Sequence, residues 1–202
     1  MEPQQPTRER RGDLTRRAIF AAAEEVFGRL GYHGASIDAI AKAAGIGLGT
    51  FYLYFPSKLA AFTFVLRTRQ QQWVEETVRA GDGAPDERTA AERGLRTYFG
   101  WIARRPTLAR LLRESEFVDP KLFAEVYVAP ARWFTDELAA AMNAGVIEDT
   151  DPNVLAWSVV AVAEIAALST YVWQEPRGNQ DRRLDAFIGI VMHTLGLDAA
   201  PA

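Results

Sequence analysis

The sequence predicts an all-α fold of about nine helices, in which an N-terminal helix-turn-helix domain precedes a larger helical domain. Apolar residues recur at intervals of three and four through most of the chain, which is helical spacing. Prolines and glycines fall at the joints between these runs, and no run alternates β-branched with polar residues as strands do. With 49% hydrophobic and 24% charged residues among 202, the chain can bury a substantial core.

The first part of the chain is predicted to form four helices, each ended by a glycine or a proline. A serine precedes the second and the fourth helix, where its hydroxyl can accept a hydrogen bond from a free backbone N–H. Leu14 and Leu30 are placed on the apolar face of the first helix. The four helices are placed at residues 14–30, 37–44, 48–54 and 58 to about 79, with Ser36 and Ser57 as caps and Gly31, Gly45 and Pro56 as stops.

Prolines mark the joints between the later helices. A proline costs least in the first turn of a helix, where its missing N–H would be unpaired in any case. Residues 80–86 are predicted to form a loop, and Pro130 is predicted to kink the stretch 120–144. The joints are placed at Pro85, Pro106, Pro120, Pro152 and Pro176.

Residues 153–174 are long and apolar enough to span a bilayer. Glu164 would lie near the middle of such a span, and no basic cluster flanks either end, so a buried helix without a membrane is predicted instead. The N-terminal residues lack the apolar stretch of a signal peptide, which predicts a cytoplasmic protein. The chain has no cysteine and only two histidines, His33 and His193, so neither a metal site nor a cofactor is predicted.

Charge is divided unevenly along the chain. Residues 1–58 hold 8 Lys and Arg against 6 Asp and Glu, whereas the remainder holds 15 against 20. The formal net charge of −3 therefore hides a mildly basic N-terminal domain and an acidic remainder. Arg8, Arg10 and Arg11 precede the first helix, where they form either a flexible arm for the DNA minor groove or a solubilising tail.

Residues 36–58 hold two short helices around a glycine-containing turn, which is the pattern of a helix-turn-helix. The first turn of its second helix, Leu48 to Thr50, would enter the major groove. Phenolic hydroxyls and the Lys58 ammonium would contact phosphates. We assign DNA binding to Ser36, Gly47, Leu48, Gly49, Thr50, Tyr52, Tyr54 and Lys58.

A set of residues between positions 15 and 65 follows a fixed order: Ala22, Ala23, Phe27, Gly31, Tyr32, Ile40, Ala41, Gly45, Ile46 and the run GTFYLYFPSK at 49–58. In this order they resemble the DNA-binding domain of the TetR family of bacterial transcriptional regulators. Two positions depart from the family's usual pattern. Gly47 stands where serine or threonine commonly caps the recognition helix, and Leu48 stands where a polar residue is frequent. Because Gly49 also weakens so short a helix, its stability off DNA is predicted to be marginal.

The resemblance implies an all-helical homodimer with a DNA-binding domain at residues 1–58 and a ligand-binding and dimerisation domain at 59–202. It also implies that the last two helices pair with their copies across the dimer. We place Ala167 and Val191 in that interface, so that arginine at both positions is expected to yield monomers. The expected partners are a double-stranded DNA operator, a small-molecule effector and a second copy of the chain.

Aromatic residues are concentrated after residue 58, and flat aromatic surfaces are typical of apolar ligand pockets. Glu164 stands alone in an apolar run, where a carboxylate needs a partner or water. It pairs with an arginine of a neighbouring helix, such as Arg183, or is exposed to solvent at the edge of the interface, or faces the effector. We assign ligand binding to Trp101, Phe117, Phe123, Tyr127, Trp133, Phe134, Trp157 and Glu164.

The sequence therefore predicts a ligand-responsive transcriptional regulator, and more specifically a repressor that a small apolar or aromatic effector releases from its operator. A small-molecule enzyme or carrier built on the helical domain is the alternative, followed by a helical interaction scaffold. No nucleophile elbow, Walker loop or zinc-hydrolase motif supports the enzyme. The glycines at 45, 47 and 49 follow a helical run rather than a strand, which argues against a nucleotide-binding turn.

Overall fold

A computed structural model describes residues 8–173 and 180–197. Over these residues the fold is all-α, which confirms the predicted class. Two short π-helical segments, Ala124–Val128 and Leu168–Val172, interrupt the α-helices. The α-helices are α1 Arg8–Gly34, α2 Ile37–Ala43, α3 Leu48–Tyr54, α4 Lys58–Gly81, α5 Glu87–Arg104, α6 Pro106–Val118, α7 Pro120–Phe123, α8 Ala129–Asn143, α9 Pro152–Ala167 and α10 Gln180–Thr194.

The chain divides into two compact units, residues 1–69 and residues 70–202, called the head and the body below. The sequence placed this boundary after residue 58, but the first turns of α4 belong to the head. Phe62 is fully buried there, with its ring centroid 5.1 Å from that of Phe27 in an edge-to-face contact. Arg69 Nε donates to Glu24 Oε1 at 2.7 Å, which ties α4 to α1. Charge and apolar packing therefore extend the head by three turns of α4.

Helix α1 is longer than predicted, because it begins at Arg8 and continues past a break at Gly31, where φ is 71°. Its buried stripe runs only from Ile19 to Phe27. Leu14 and Leu30 lie beyond the two ends of this stripe and are 54% and 44% exposed, so their predicted inward positions are wrong. Arg8, Arg10 and Arg11, which were predicted to precede the first helix, lie in the first turn of α1, and their side chains lie outside the described residues.

The helix-turn-helix forms as the local signals predict. The Ser36 hydroxyl accepts a hydrogen bond from the Ala39 N–H at 3.1 Å, which caps α2. Gly45 has a φ of 68°, a left-handed conformation that favours glycine and turns the chain toward α3. Gly47 precedes α3 without any side-chain cap, as expected. Ser57 accepts from the Ala60 N–H at 3.0 Å at the start of α4.

Three predicted proline joints of the body are confirmed, since α6, α7 and α9 each begin with their proline, whereas Pro176 lies outside the described residues. The predicted irregularity near Pro130 takes the form of the first π-helical segment, which ends two residues before it. The N–H of Ala129 bonds the carbonyl of Ala124, five residues back. A core cluster joins α8, α9 and α10 through Leu138, Ile147, Leu155, Ala156, Val159, Val191 and Leu195.

One described helical segment, Pro152–Val172, is long and apolar enough to cross a membrane by length and composition alone. Core helices of soluble proteins pass the same test. Leu155, Ala156 and Val159 of this segment belong to the core cluster of the body, while other positions on it are exposed.

Candidate nucleic-acid interface and ligand site

Helix α3 presents an exposed face without any charge. Leu48 is 46% exposed, Tyr52 is 54% exposed and Leu53 is 83% exposed, whereas Phe51 is fully buried and holds the helix to the head. The seven residues of α3 include neither an acidic nor a basic side chain. A helix this exposed and this apolar has few contacts to stabilise it unless another molecule covers it.

Leu53 is the residue of this face that the sequence assignments left out. It lies four residues after Gly49, and residues four apart share one side of a helix. This four-residue spacing could have identified Leu53 from the sequence alone. Leu53 extends the exposed apolar surface from the first turn of α3 into its second turn.

Gly47, just before α3, and Gly49, within it, leave the backbone at the start of the helix accessible. A Cβ atom added at Gly47 or at Gly49 would meet no heavy atom within 4 Å. Another molecule can therefore approach the backbone closely at both positions. Thr50 is half-buried, and Ser36, which is exposed, already accepts the capping hydrogen bond of α2.

The two tyrosines of α3 differ in their surroundings. Tyr52 is exposed, as a phosphate contact requires. Tyr54 is half-buried, and its hydroxyl oxygen lies 3.8 Å from the position that a Cβ on Gly12 would occupy. The Tyr54 hydroxyl thus lies beside the N-terminal part of α1.

The Lys58 ammonium, which the sequence analysis assigns to phosphate contact, has partners within the head. Its Nζ donates to the carbonyls of Tyr32 and Ala35, at 2.8 Å each, and lies 4.4 Å from the centroid of the Tyr32 ring. The last carbonyls of a helix lack intrahelical partners and carry the negative end of its dipole, which attracts a lysine. Two of the three N–H groups of Lys58 therefore hold the connection between α1 and α2, and one is left for other contacts.

In the body, the structure brings together four of the eight residues assigned to ligand binding. The rings of Phe123 and Tyr127 are stacked, with centroids 4.9 Å apart and planes 15° apart. Tyr127 also stacks on Trp157 of α9, at 6.2 Å and 28°. Glu164 accepts a hydrogen bond from the Tyr127 hydroxyl. All four side chains are half-buried, so these residues form one partly accessible aromatic cluster with a carboxylate beside it.

Glu164 has its partner on α6 rather than on α10. Arg113 Nη1 donates to Glu164 Oε1 at 3.3 Å, so the suggested pairing with Arg183 is wrong while a pairing with a neighbouring helix is correct. Burial raises the pKa of Glu164, and the nearby Arg113 charge opposes that increase. Burial, together with the charge of Glu164, also raises the pKa of Tyr98 on α5, a residue that the sequence assignments did not include.

The other four assigned residues lie away from this cluster. Phe117 is 83% exposed and Trp133 is 46% exposed, because they point outward from α6 and α8. Phe134 packs against the core cluster of α8, α9 and α10. Trp101 is buried on α5, where the guanidinium of Arg105 lies over its ring. Aromatic character alone did not determine which face of a helix each of these residues occupies.

Among the described residues, no group of three or more histidine, aspartate and glutamate side chains is placed to hold a metal ion.

A family model described as "Bacterial regulatory proteins, tetR family" matches residues 19–62, which span α2, α3 and the helices that pack on them. The HTH-type transcriptional activator FasR of Mycolicibacterium smegmatis is 34% identical over 125 residues, which is 61% of this chain and 55% of that protein. The HTH-type transcriptional regulator EthR of the same species is 28% identical over 171 residues, 82% of this chain and 78% of that protein. The chain thus matches about half the length of the FasR relative.

Solved structures share the fold over nearly the whole chain. The fatty acid degradation regulator FadR of Bacillus halodurans has a TM-score of 0.78 at 19% identity, covering 95% of this chain and 97% of that one. FadR of Bacillus subtilis in complex with stearoyl-CoA has a TM-score of 0.78 at 18% identity, covering 91% of this chain and 100% of that one. The all-α fold with α2 and α3 in its head is that of a helix-turn-helix protein. Within the head, residues 19–62 match the TetR family model, and the fold is that of a TetR-like regulator of known structure from Rhodococcus. FasR and EthR are named as transcriptional regulators, which agrees with the prediction that this chain is not an enzyme.

Proposed function

We propose that this protein is a ligand-responsive transcriptional regulator that binds a palindromic DNA operator as a homodimer. We further propose that it is a repressor, released by a small and largely apolar or aromatic effector. The observation that supports DNA binding most directly is the exposed, uncharged face of α3 within a head that matches the family model.

The recognition helix offers methyl groups rather than charges to the bases. Thymine presents its C5-methyl group in the major groove, where apolar side chains can contact it. Leu48, Thr50 and Leu53 would supply such contacts, and Gly49 would allow the backbone to come close to the base edges. Tyr52 would contact phosphate, and Ser36, Gly47 and Tyr54 would lie at the edges of the interface. Lys58 would act chiefly by holding the α1–α2 connection in position.

Exposed apolar residues on the last two helices support the proposed homodimer. Val154 and Ile165 of α9 are 60% and 49% exposed, and Ile190 of α10 is 51% exposed. These side chains form a surface that a second copy of the same helices would cover. Ala167 and Val191, which the sequence placed in the interface, are 2% and 0% exposed within the single chain, so arginine there would disrupt the fold rather than the dimer.

The aromatic cluster of Phe123, Tyr127 and Trp157 supports an effector site in the body. These rings offer flat, partly accessible apolar surface. The B. subtilis neighbour holds stearoyl-CoA, a ligand with a long apolar chain, on the same fold. The effector would act by binding more tightly to the conformation in which the two recognition helices no longer match successive major grooves, which lie about 34 to 36 Å apart.

Selection of binding sites from random duplex DNA tests the proposal. We expect the purified protein to enrich a palindrome, to shift it as a dimer in gel electrophoresis, and to lose affinity steeply as salt rises. The Tyr52→Ala variant is expected to bind all DNA sequences more weakly and by the same factor. Enrichment of no sequence, with equal affinity for all duplexes, would contradict the proposed function.

A further inference from the structure

Arg105, at the joint between α5 and α6, has no counter-ion among the described residues. Its neighbour Arg104 lies 3.6 Å from a carboxylate oxygen of Glu76, whereas no described carboxylate oxygen lies within 4.0 Å of the Arg105 guanidinium. Arg105 Nη1 is enclosed by protein and has no hydrogen-bond partner. Arg105 as a whole residue is half-buried. An enclosed cationic donor without an acceptor is costly and needs an explanation.

A second unpartnered donor lies at the same place. Trp101, one turn earlier on α5, is 5% exposed, and its indole Nε1–H is enclosed without an acceptor. The guanidinium carbon of Arg105 lies 5.1 Å from the centroid of the Trp101 ring. The contact with the indole ring holds the guanidinium beside the tryptophan, and the Nη1 donor of Arg105 stays without an acceptor there.

The start of α6 adds to the positive potential at this joint. Arg105 is the N-cap residue of this 13-residue helix, and no side chain caps it. The amino end of a helix carries a partial positive charge that favours anions. This effect supports the two unpartnered donors but does not by itself define a site.

We propose that Arg105 and Trp101 form a subsite for an oxyanion, either a carboxylate or a phosphate. Both side chains offer only donors, so the missing partner is an acceptor, and a guanidinium binds carboxylates and phosphates through paired hydrogen bonds. Because Nη1 and Nε1 are enclosed, the anion enters when the half-buried Arg105 side chain turns about its terminal torsions. Resting on the proposed function, the ligand bound at this subsite is an organic anion with an apolar part, and the subsite is separate from the aromatic cluster of Phe123, Tyr127 and Trp157.

Indole N–H resonances of the full-length ¹⁵N-labelled protein test the subsite. The five tryptophans give five such peaks, and Trp101→Phe identifies the one from Trp101. The probes are decanoate, decyl phosphate, the neutral decanol and inorganic phosphate. We expect decanoate or decyl phosphate to move the Trp101 peak saturably downfield, as a new hydrogen bond does, and decanol to leave it in place. A response to inorganic phosphate alone would support the subsite and identify free phosphate as its source.

Arg105→Gln and Arg104→Gln form a matched pair of variants. We expect Arg105→Gln to weaken binding of the anionic probe at least about tenfold and Arg104→Gln to change it less than about twofold. Equal effects of the two variants, an unmoved Trp101 peak, or an equal response to decanol would overturn the proposal. If Arg105→Gln fails to fold, the comparison of decanoate with decanol on the unaltered protein still tests whether the subsite binds an oxyanion. Operator binding is measured separately, so a failure of the proposed function is distinguishable from a failure of the subsite.

Discussion

The head and the body differ in how completely they satisfy their own buried polar atoms. Within residues 12–69, whose side chains the structure describes, no enclosed side-chain nitrogen or oxygen lacks a partner. The enclosed side-chain atoms without a hydrogen-bond partner all lie in the described part of the body. They are Trp73 Nε1, Thr77 Oγ1, Arg88 Nε, Trp101 Nε1, Arg105 Nη1 and Thr170 Oγ1. Native proteins pair nearly all such atoms, so each exception needs a cause. The described head therefore pairs its enclosed side-chain polar atoms within one chain, whereas the described body leaves six of them without a partner in the chain.

The largest expected effect concerns the exposed apolar face of the body. Ile165→Arg together with Ile190→Arg places two charges where a second copy would pack, and should convert the dimer to monomers. Operator affinity should fall at least about a hundredfold, because one head alone reads only half of a palindrome. Light scattering and gel shift measure the two changes.

Ala140→Arg, on an exposed position of α8, is the control and should leave both the dimer and the operator affinity intact. A double variant that stays dimeric would place the interface elsewhere on the body.

Removing the partly buried Lys58 ammonium of the head should lower the free energy of unfolding. Lys58→Met keeps the aliphatic stem but leaves the carbonyls of Tyr32 and Ala35 without their donor. We expect the free energy of unfolding in urea to fall by about 1 to 3 kcal/mol. Lys42→Met, on the exposed face of α2, should change it by less than about 0.5 kcal/mol. Equal stability of the two variants would mean that Lys58 does not hold the head together.

The exposed face of α3 should recognise bases through Leu53. Leu53→Ala should weaken binding to the selected operator about tenfold while leaving affinity for unrelated duplex unchanged. Uracil in place of thymine at the contacted position should reduce affinity for the unaltered protein and have no further effect on the variant. Leu14→Ala, at an exposed leucine of α1, is the matched control. A uniform loss across all sequences would assign Leu53 to stability rather than to base recognition.

The smallest expected effect is the change in unfolding free energy at Arg105. It tests directly whether the head and the body differ in pairing their enclosed polar atoms. Arg105→Met replaces a half-buried cation, whose enclosed Nη1 has no acceptor, with an apolar side chain of similar length, and such a change is nearly neutral when no hydrogen bond is lost. We expect the unfolding free energy to change by less than about 1 kcal/mol, in contrast to Lys58→Met. A loss as large as that of Lys58→Met would show that Arg105 is satisfied within the chain.

Local signals were sufficient for α2, α3 and the start of α4. The bounds of α3 follow from Gly47 and Pro56, and the caps at Ser36 and Ser57 follow from the residue types, because each of these features acts within four residues. The partners of Lys58 were not predictable, since they lie 23 and 26 residues earlier in the chain.

The body was predictable in its helices but not in their orientation. The prolines that begin α6, α7 and α9 located the joints, yet the outward position of Phe117 and the core position of Phe134 depend on how each helix is rotated against its neighbours. Periodicity does not distinguish between two apolar faces of one helix. For the same reason the sequence found Glu164 but not Arg113 as its partner.

The empty space at Gly49 has a consequence for how proteins of this kind can acquire new targets. A Cβ atom at this position would meet no heavy atom within 4 Å, and alanine there would stabilise α3 by up to about 1 kcal/mol, because glycine is a poor helix former. Gene duplicates could therefore diverge in the sequences they recognise through a single codon without first acquiring a compensating mutation. The same position is the natural place to begin an engineered library of regulators that ignore one another's promoters.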